Sequence, residues 1–235
     1  MTDLRIRADA AAQVLVEDLD NPELSDDDTH HLRRVLRLRR GERVVAADGL
    51  GSWRLCVAGD DGRLEPVTPT VFEPAPSSPV RVWLPALKGE RSEWAVAKLA
   101  ELGVDEIGLL HCERAAVRFG EDASVRVLAR WRRVAREATC QSRRVRLPEI
   151  LGPLDVREAV AAGALRCDLD GAPTPDATTC LAVGPEGGWS DAERSGPTAS
   201  LSETVLRTET AAVTAGVLLM TARRAARHGA APEAQ

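Results

Sequence analysis

The chain has 235 residues, of which 44% are apolar and 29% are charged. These proportions suit one large globular domain or two small ones, and they exclude collagen-like, coiled-coil and largely disordered chains. No apolar run approaches the roughly 20 residues that a membrane helix needs, and charges throughout the amino terminus argue against a secretion signal. We therefore expect a soluble, cytoplasmic protein.

The cysteines agree with a reducing compartment. Their number is odd and no two lie close together in the sequence, so they form neither a disulfide framework nor a metal-ligand signature. They are Cys56, Cys112, Cys140, Cys167 and Cys180. We expect reduced thiols and no bound metal.

The first seventy residues predict a small β-rich domain. Residues 43–47 and 53–58 read as strands, and Asp48-Gly49 is a hairpin-type turn signal between them. One helix is predicted around residues 30–38. The proline-rich segment 73–79 then predicts a domain boundary.

After this segment the pattern changes to alternating strands and helices. Strands are predicted at 80–84, 104–110, 165–169 and 180–183, and helices at 90–102, 124–139, 154–162 and about 208–226. This alternation predicts an α/β fold with a mostly parallel sheet flanked by helices. Such sheets bind ligands at the carboxyl ends of their strands. The predicted domains are residues 1–73 and 80–235.

Arginine is concentrated in two stretches, although the formal net charge is −5. Residues 126–146 hold eight arginines against one acid, Glu137, and residues 33–43 hold six more. Localised cations of this kind fit a phosphate-binding surface, while a solvated helix face is the plainer interpretation. We interpret His30 and His31 as structural or RNA-contacting rather than catalytic.

The segment GPEGG at 184–188 follows a strand of the buried type. Its glycines let the backbone turn sharply and let a ligand approach closely. The segment lacks the Lys-Ser/Thr of a phosphate-binding loop and the glycine spacing of a dinucleotide fingerprint, and Glu186 would repel a pyrophosphate. A neutral or cationic ligand would suit the segment, but a structural turn is an equally good interpretation.

The segment LRTETA at 206–211 lies between a short apolar strand and an Ala/Leu-rich helix. Thr208 fits the N-cap and Glu209 the first helical turn, which explains both residues without a function. Arg207 has no such local explanation. Its position at the exit of a strand indicates a role in a cleft.

Five blocks along the chain, taken together, resemble one known family. They are HHLRRVLRL at 30–38, KLAELGV at 98–104, EATCQSR at 137–143, GPEGG at 184–188 and LRTETA at 206–211. The family is that of the ribosomal RNA small-subunit uracil N3-methyltransferases, RsmE type, of the SPOUT superfamily. The resemblance implies a PUA-like β-barrel followed by an α/β domain with a trefoil knot. It also implies S-adenosylmethionine as cofactor, 16S ribosomal RNA as substrate, and a homodimer formed through the knot domain.

The resemblance also implies the site residues. Around the cofactor it places Gly184, Glu186, Gly187, Gly188, Leu201, Leu206, Thr208 and Ala211. On the RNA it places His31, Arg33, Arg34, Arg37, Arg114, Gln141, Arg143 and Arg144.

Methyl transfer to uridine N3 requires that this nitrogen lose its proton and that charge developing on O2 and O4 be stabilised. We assign the stabilising role to Arg207 and consider Glu186 and Glu209 as proton acceptors, with structural roles for the two acids equally open. Two alternatives remain at this point. One is a SPOUT enzyme that methylates a ribose 2′-oxygen or another base, and the other is a non-catalytic RNA-binding factor.

Overall fold

The computed structural model describes residues 3–30, 32, 34, 37–59, 63–117 and 120–229. The chain forms two compact units, and neither is one continuous stretch. The first unit comprises Met1–Ser77 and Arg136–Leu147, and the second comprises Ser78–Ala135 and Pro148–Gln235. Within the described residues, no helix is both long and apolar enough to cross a membrane.

The described part of the first unit contains a five-stranded sheet. Its strands are β1 (Ala12–Leu15), β2 (Arg43–Ala47), β3 (Ser52–Ala58), β4 (Leu64–Pro66) and β5 (Val71–Phe72). Strands β1 and β2 pair in parallel, and β3 pairs antiparallel with β2, β4 and β5. The strands predicted at 43–47 and 53–58 are confirmed. The turn between them forms because Asp48 Oδ1 accepts the backbone N–H groups of Leu50 and Ser52.

Within the helix predicted at 30–38, the described residues His30, Leu32 and Arg34 are helical, with π-type backbone at Leu32 and Arg34. Helix α1 covers Asp3–Ala8 and α2 covers Asp26–His30, after Ser25, whose Oγ accepts the Asp28 N–H. Arg37 has a φ of 52°, which a right-handed helix does not allow. Residues 31, 33, 35 and 36 lie outside the described ranges.

The first unit buries apolar side chains on both faces of β2. Because side chains alternate along a strand, Val44 and Ala46 join one core cluster while Val45 and Ala47 join the other. The second cluster contains Val145, from the discontinuous segment 136–147, which is 3% exposed. That late segment therefore supplies part of the core of the first unit.

The described part of the second unit contains a six-stranded parallel sheet in the order β11-β9-β10-β6-β7-β8. Its strands are β6 (Arg81–Pro85), β7 (Glu106–His111), β8 (Glu149–Asp155), β9 (Leu165–Pro173), β10 (Cys180–Ala182) and β11 (Thr198–Ser200). Its helices are α3 (Arg91–Leu102), α4 (Glu121–Gln141), α5 (Val156–Ala161) and α6 (Thr208–Gly229). The last six residues of α4 belong to the first unit. The predicted parallel α/β sheet is confirmed.

Strands β8 and β11 were not predicted from the sequence. Gly152-Pro153 interrupts the apolar run of β8, and β11 is only three residues long, so neither has the usual strand pattern. The helix predicted at 154–162 is α5. It begins after Asp155, which forms a capping box with Glu158.

Close packing fixes α3 against its neighbours. Its buried face includes Ala95 and Leu99, and the helix ends at Gly103, whose φ of 98° suits a left-handed C-cap. Helix α3 packs on α6. A Cβ atom at Gly216 of α6 would lie 2.7 Å from Leu99, so glycine allows the two helices to approach closely.

Candidate functional site

A cavity of about 220 Å³ lies in the second unit, beside the segments that follow β10 and β11. Its walls come from four parts of the chain, namely the middle of β9, the segment after β10, the segment after β11 and the first turn of α6. The lining residues are 167–169, 183–186, 188, 189, 200–202, 204–206, 208 and 211. The position agrees with the rule that α/β sheets bind ligands where their strands end.

Seven of the eight residues predicted to surround a cofactor line this cavity. They are Gly184, Glu186, Gly188, Leu201, Leu206, Thr208 and Ala211. The eighth, Gly187, faces elsewhere, because a Cβ atom there would lie 2.8 Å from the carbonyl oxygen of Arg114. The fold thus brings the two predicted loops to one cavity. Their contact with a cofactor stays a prediction.

A hydrogen bond joins the two loops directly. Thr208 is 3% exposed, and its Oγ1 donates to the carbonyl oxygen of Gly184 at 3.0 Å. The prediction of Thr208 as the N-cap of α6 is wrong, since the helix begins at Thr208 and the carbonyl of Arg207 accepts the Ala211 N–H. The hydroxyl therefore reaches across to the glycine loop instead of capping its own helix.

The carboxylates of Glu186 and Glu209 share one partner, Arg91 of α3. Arg91 forms an ion pair with Glu186, and its Nη1 lies 3.4 Å from Glu209 Oε2. Hydrogen bonding to Glu186 raises the pKa of the Arg91 guanidinium above its ordinary value. Sequence reasoning missed Arg91, because no motif marks a residue at the start of an amphipathic helix.

Comparison with known proteins identifies the family. A family model described as an RNA methyltransferase domain matches residues 73–220, and one described as an RNA methyltransferase PUA domain matches residues 24–57. Ribosomal RNA small subunit methyltransferase E of Mycobacterium bovis is 36% identical over 214 residues, which cover 80% of this chain and 82% of that protein. The protein belongs to the ribosomal RNA small subunit methyltransferase E family.

Other relatives agree with this family. Ribosomal RNA small subunit methyltransferase E of Synechocystis is 34% identical over 209 residues, covering 77% of this chain and 67% of that protein. A Legionella pneumophila methyltransferase solved with bound SAM is 27% identical, with a TM-score of 0.75, and the match covers 90% of this chain and 96% of that one. A methyltransferase E structure from Neisseria gonorrhoeae, 24% identical with a TM-score of 0.73, covers 89% and 97% of the two chains and supports the fold. The predicted fold class and family are confirmed.

In this methyltransferase E family member, Asp168 is a cavity residue that sequence reasoning did not find. Its carboxylate lies 3.9 Å from Arg194 Nη1 at the nearest, and its side chain is 23% exposed. Alternation along β9 places Asp168 on the same side of the strand as its buried neighbour Arg166. A strand with mixed polar residues on both sides carries no sequence signal that would single out this acid.

Trp189 was also missed, although it shapes the glycine loop. It is 3% exposed, its Nε1 donates to the carbonyl oxygen of Cys167 at 2.9 Å, and a Cβ atom at Gly184 would lie 2.9 Å from its ring. Glycine at 184 therefore leaves room for the indole. Burial raises the pKa of the Cys167 thiol, which also borders the cavity, to about 12.

Arg207, the predicted catalytic residue, is exposed. It lies between the lining residues Leu206 and Thr208 and is not itself part of the cavity wall. Its contact with a substrate stays a prediction.

The predicted RNA-binding residues fall in both units. His31 and Arg33 lie outside the described residues. In the first unit, Arg34, Arg37 and Gln141 are exposed, whereas Arg143 is partly buried; Arg114, in the second unit, is also exposed. Their contact with RNA stays a prediction.

The guanidinium of Arg143 is engaged within the first unit. It donates to the carbonyl oxygens of Ala10 and Ala11 at 2.9 and 3.3 Å, and burial lowers its pKa. The backbone carbonyl of the next predicted RNA contact, Arg144, accepts from Gln13 Nε2. The fold therefore gives Arg143 a structural role that the sequence did not indicate.

A buried acid fixes the segment that carries Arg114. Glu193 is 6% exposed, and its two carboxylate oxygens accept the backbone N–H groups of Glu113 and Ser190, both at 2.8 Å. One of these groups follows β7 and the other follows the glycine loop. Glu193 also borders a second cavity, of about 390 Å³, near the ends of β7 and β8. This tie holds the Arg114 backbone beside Gly187.

Among the residues that can be described, no group of three or more His, Cys, Asp or Glu side chains is arranged to hold a metal ion.

Proposed function

We propose that this protein uses S-adenosylmethionine to methylate 16S ribosomal RNA of the small ribosomal subunit, at N3 of a uridine. The observation that carries the proposal is the cavity where the 184–188 and 206–211 loops meet, tied by Thr208 and Gly184. The printed names of the relatives support the RNA class. The choice of uridine N3 rests on family resemblance.

The residues that line the cavity fit the cofactor. Leu201, Leu206 and Trp189 offer apolar surface for an adenine ring, and Asp168 and Glu186 offer negative charge to a cationic ligand. Exposed backbone at Gly184 and Gly188 can bond polar groups of the ligand. When bound, S-adenosylmethionine supplies an activated methyl group on a sulfonium.

The protein's own residues would align and activate the acceptor. Arg207 donates hydrogen bonds to O2 or O4 of the uracil and stabilises the negative charge that develops when N3 loses its proton. Glu186 and Glu209 are the acids of the site, and each takes the N3 proton only if it leaves Arg91. The target base must be turned out of the RNA to reach the cavity.

RNA binding is proposed to involve both units. Residues 1–73 would form the PUA-like RNA-binding domain and residues 80–235 the methyltransferase domain. Arg34, Arg37, Arg114 and Gln141 are exposed and available to phosphates and bases, and the partly buried Arg143 and Arg144 are also proposed to contact RNA. His31 and Arg33 belong to the same proposal.

We also propose that the protein is a cytoplasmic homodimer that associates through the methyltransferase domain. Val217 and Leu218 of α6 are 42% and 36% exposed, and Trp94 of α3 is 48% exposed. These apolar side chains lie on two helices that pack on each other, and their exposure supports a contact with a second copy. Sedimentation of the purified protein tests this association.

The reaction is tested by nucleoside mass spectrometry of small-subunit RNA from a strain that lacks this protein. We expect loss of N3-methyluridine, restored by the wild-type chain. Loss of a ribose-methylated nucleoside or of another methylated base would instead identify the alternative SPOUT activity. Calorimetric titration with S-adenosylmethionine separates an enzyme from a non-catalytic RNA-binding factor, because the latter would bind no cofactor.

A further inference from the structure

Arg91 lies where three segments of the second unit meet. It is the first residue of α3, its Nε donates to the carbonyl oxygen of Lys88 at 3.3 Å, and its Nη1 pairs with Glu186 and Glu209. Glu186 belongs to the glycine loop and Glu209 to the first turn of α6. One guanidinium therefore contacts both loops that build the cavity, although it does not line the cavity itself.

The two carboxylates depend on this guanidinium. The side chain of Glu209 is only 12% exposed, whereas those of Arg91 and Glu186 are 34% and 39% exposed. A mostly buried carboxylate that loses its partner is costly, and a second carboxylate nearby adds repulsion. Without Arg91, the loop and the helix start would therefore be driven apart.

We propose that Arg91 is a positioning residue that holds the 184–188 loop against the start of α6 in the arrangement that binds the methyl donor. This inference rests on the proposed function of the cavity. The bond from Thr208 to Gly184 is a neutral tie between the same two segments, and the Arg91 ion pairs are the charged tie. Arg91 itself acts on the cavity without lining it.

The charge balance of the cluster suits a cationic ligand. One guanidinium and two carboxylates sum to a net charge of −1 beside the cavity. S-adenosylmethionine carries a net positive charge, because its amino and sulfonium groups outweigh its carboxylate. Arg91 occupies one oxygen of each acid, Glu186 Oε1 and Glu209 Oε2, so the pairing also limits their use as proton acceptors.

The test compares Arg91→Met with Lys98→Met by calorimetric titration of the full chain with S-adenosylmethionine. Lys98 is a matched control because it lies on the same helix and forms a single ion pair, with Glu101 at 2.8 Å, outside the cavity. Charge-assisted hydrogen bonds at a partly exposed site lead us to expect about a fivefold to tenfold higher Kd for Arg91→Met. Lys98→Met should stay within about twofold of the wild type. Wild-type affinity in Arg91→Met would overturn the inference.

Further measurements separate positioning from general damage. Hydrogen exchange in Arg91→Met should rise in both 184–188 and 206–211, and affinity for a small-subunit RNA fragment should stay unchanged. Arg91→Lys keeps the charge and should recover part of the lost binding of S-adenosylmethionine. Equal losses of RNA and cofactor binding, or unchanged exchange in both loops, would contradict a positioning role.

The same titrations distinguish this inference from the proposed function. Wild-type protein that binds no S-adenosylmethionine would refute the function of the cavity. Wild-type protein that binds it, together with an Arg91→Met variant of equal affinity, would refute only the role of Arg91.

Discussion

Three arginines of the first unit serve a different purpose from Arg91 of the second unit. In the first unit, Arg136, Arg143 and Arg146 donate to backbone carbonyl oxygens at 2.8, 2.9 and 2.6 Å. In the second unit, Arg91 pairs with two carboxylates beside the cavity of the candidate site. The first group hydrogen-bonds backbone carbonyl oxygens of its own unit, and we propose that Arg91 organises a binding site. A dense run of arginines in a sequence is therefore not by itself an RNA-binding surface.

The strongest challenge to this contrast is Arg207→Ala. Arg207 is exposed beside the cavity, and we propose that it acts on the substrate rather than on the protein. Removal of a group that stabilises developing charge costs about 100-fold or more in kcat, while the Kd for S-adenosylmethionine should hardly change. Single-turnover methylation of small-subunit RNA measures the effect. A variant with wild-type turnover would remove Arg207 from the mechanism.

Replacing Arg143 by Met tests the structural use of arginine in the first unit. Loss of its bonds to the carbonyls of Ala10 and Ala11 should lower the free energy of unfolding by about 1–3 kcal/mol. Urea unfolding measures the change, with Arg34→Met as the control because Arg34 is exposed in the same unit. Equal stability of the two variants would show that Arg143 is not needed for folding.

Asp168→Asn tests the charge of the cavity wall. The substitution removes a negative charge from the cavity wall, so we expect the Kd for S-adenosylmethionine to rise about fivefold. Asp170→Asn is the matched control, since Asp170 is an exposed acid on the same strand. Similar calorimetric results for the two variants would mean that Asp168 does not contact the cofactor.

Arg126→Gln tests an arginine of the 126–146 stretch that lies in the second unit. Arg126 is exposed on α4. If it contacts a phosphate, the slope of log K against log salt for RNA binding, which is negative, should become less steep by about 0.7–0.9. Arg157→Gln, an exposed arginine outside this stretch, should leave the slope unchanged. Identical slopes for both variants would place the RNA surface elsewhere.

The smallest expected effect concerns the Cys56 thiol in the first unit. Burial raises its pKa from an ordinary value near 9.0 to about 11. The unfolded chain loses this proton at a lower pH than the folded chain does. The contribution of the protonated thiol to the free energy of unfolding is therefore present below about pH 9 and declines between about pH 9 and 11. Urea unfolding at pH 8 and pH 10 should show a shallower decline for Cys56→Ala. Parallel declines in both proteins would assign the effect to other groups.

Sequence patterns predicted the parts of the site that are continuous in the chain. The 184–188 loop follows a strand and the 206–211 segment leads into a helix, and both contain glycine or hydroxyl residues, so their role could be inferred locally. Arg91 and Asp168 lie within a helix and a strand whose patterns serve packing. Their place at the cavity depends on contacts between segments about one hundred residues apart, as in the Arg91–Glu186 pair.

The contacts of Arg143 show the same limit, because they also join distant parts of the chain. Its charge and its neighbours indicated RNA, yet its partners at Ala10 and Ala11 come from more than 130 residues earlier in the chain. The strands and turn around Asp48 were predictable because their hydrogen bonds are local. Residue type and spacing thus predict local elements better than they predict the partner of a long, flexible side chain.

The discontinuous first unit imposes an order on biosynthesis. Val145 packs in the same core cluster as Trp53 and Leu55, but the ribosome makes it only after the whole of residues 78–135. A nascent chain that has been synthesised only as far as residue 77 still has this side of the sheet uncovered. Native closure of the amino-terminal unit must therefore wait for translation of the middle of the polypeptide, and chaperones would meet this unit with one face of its sheet uncovered.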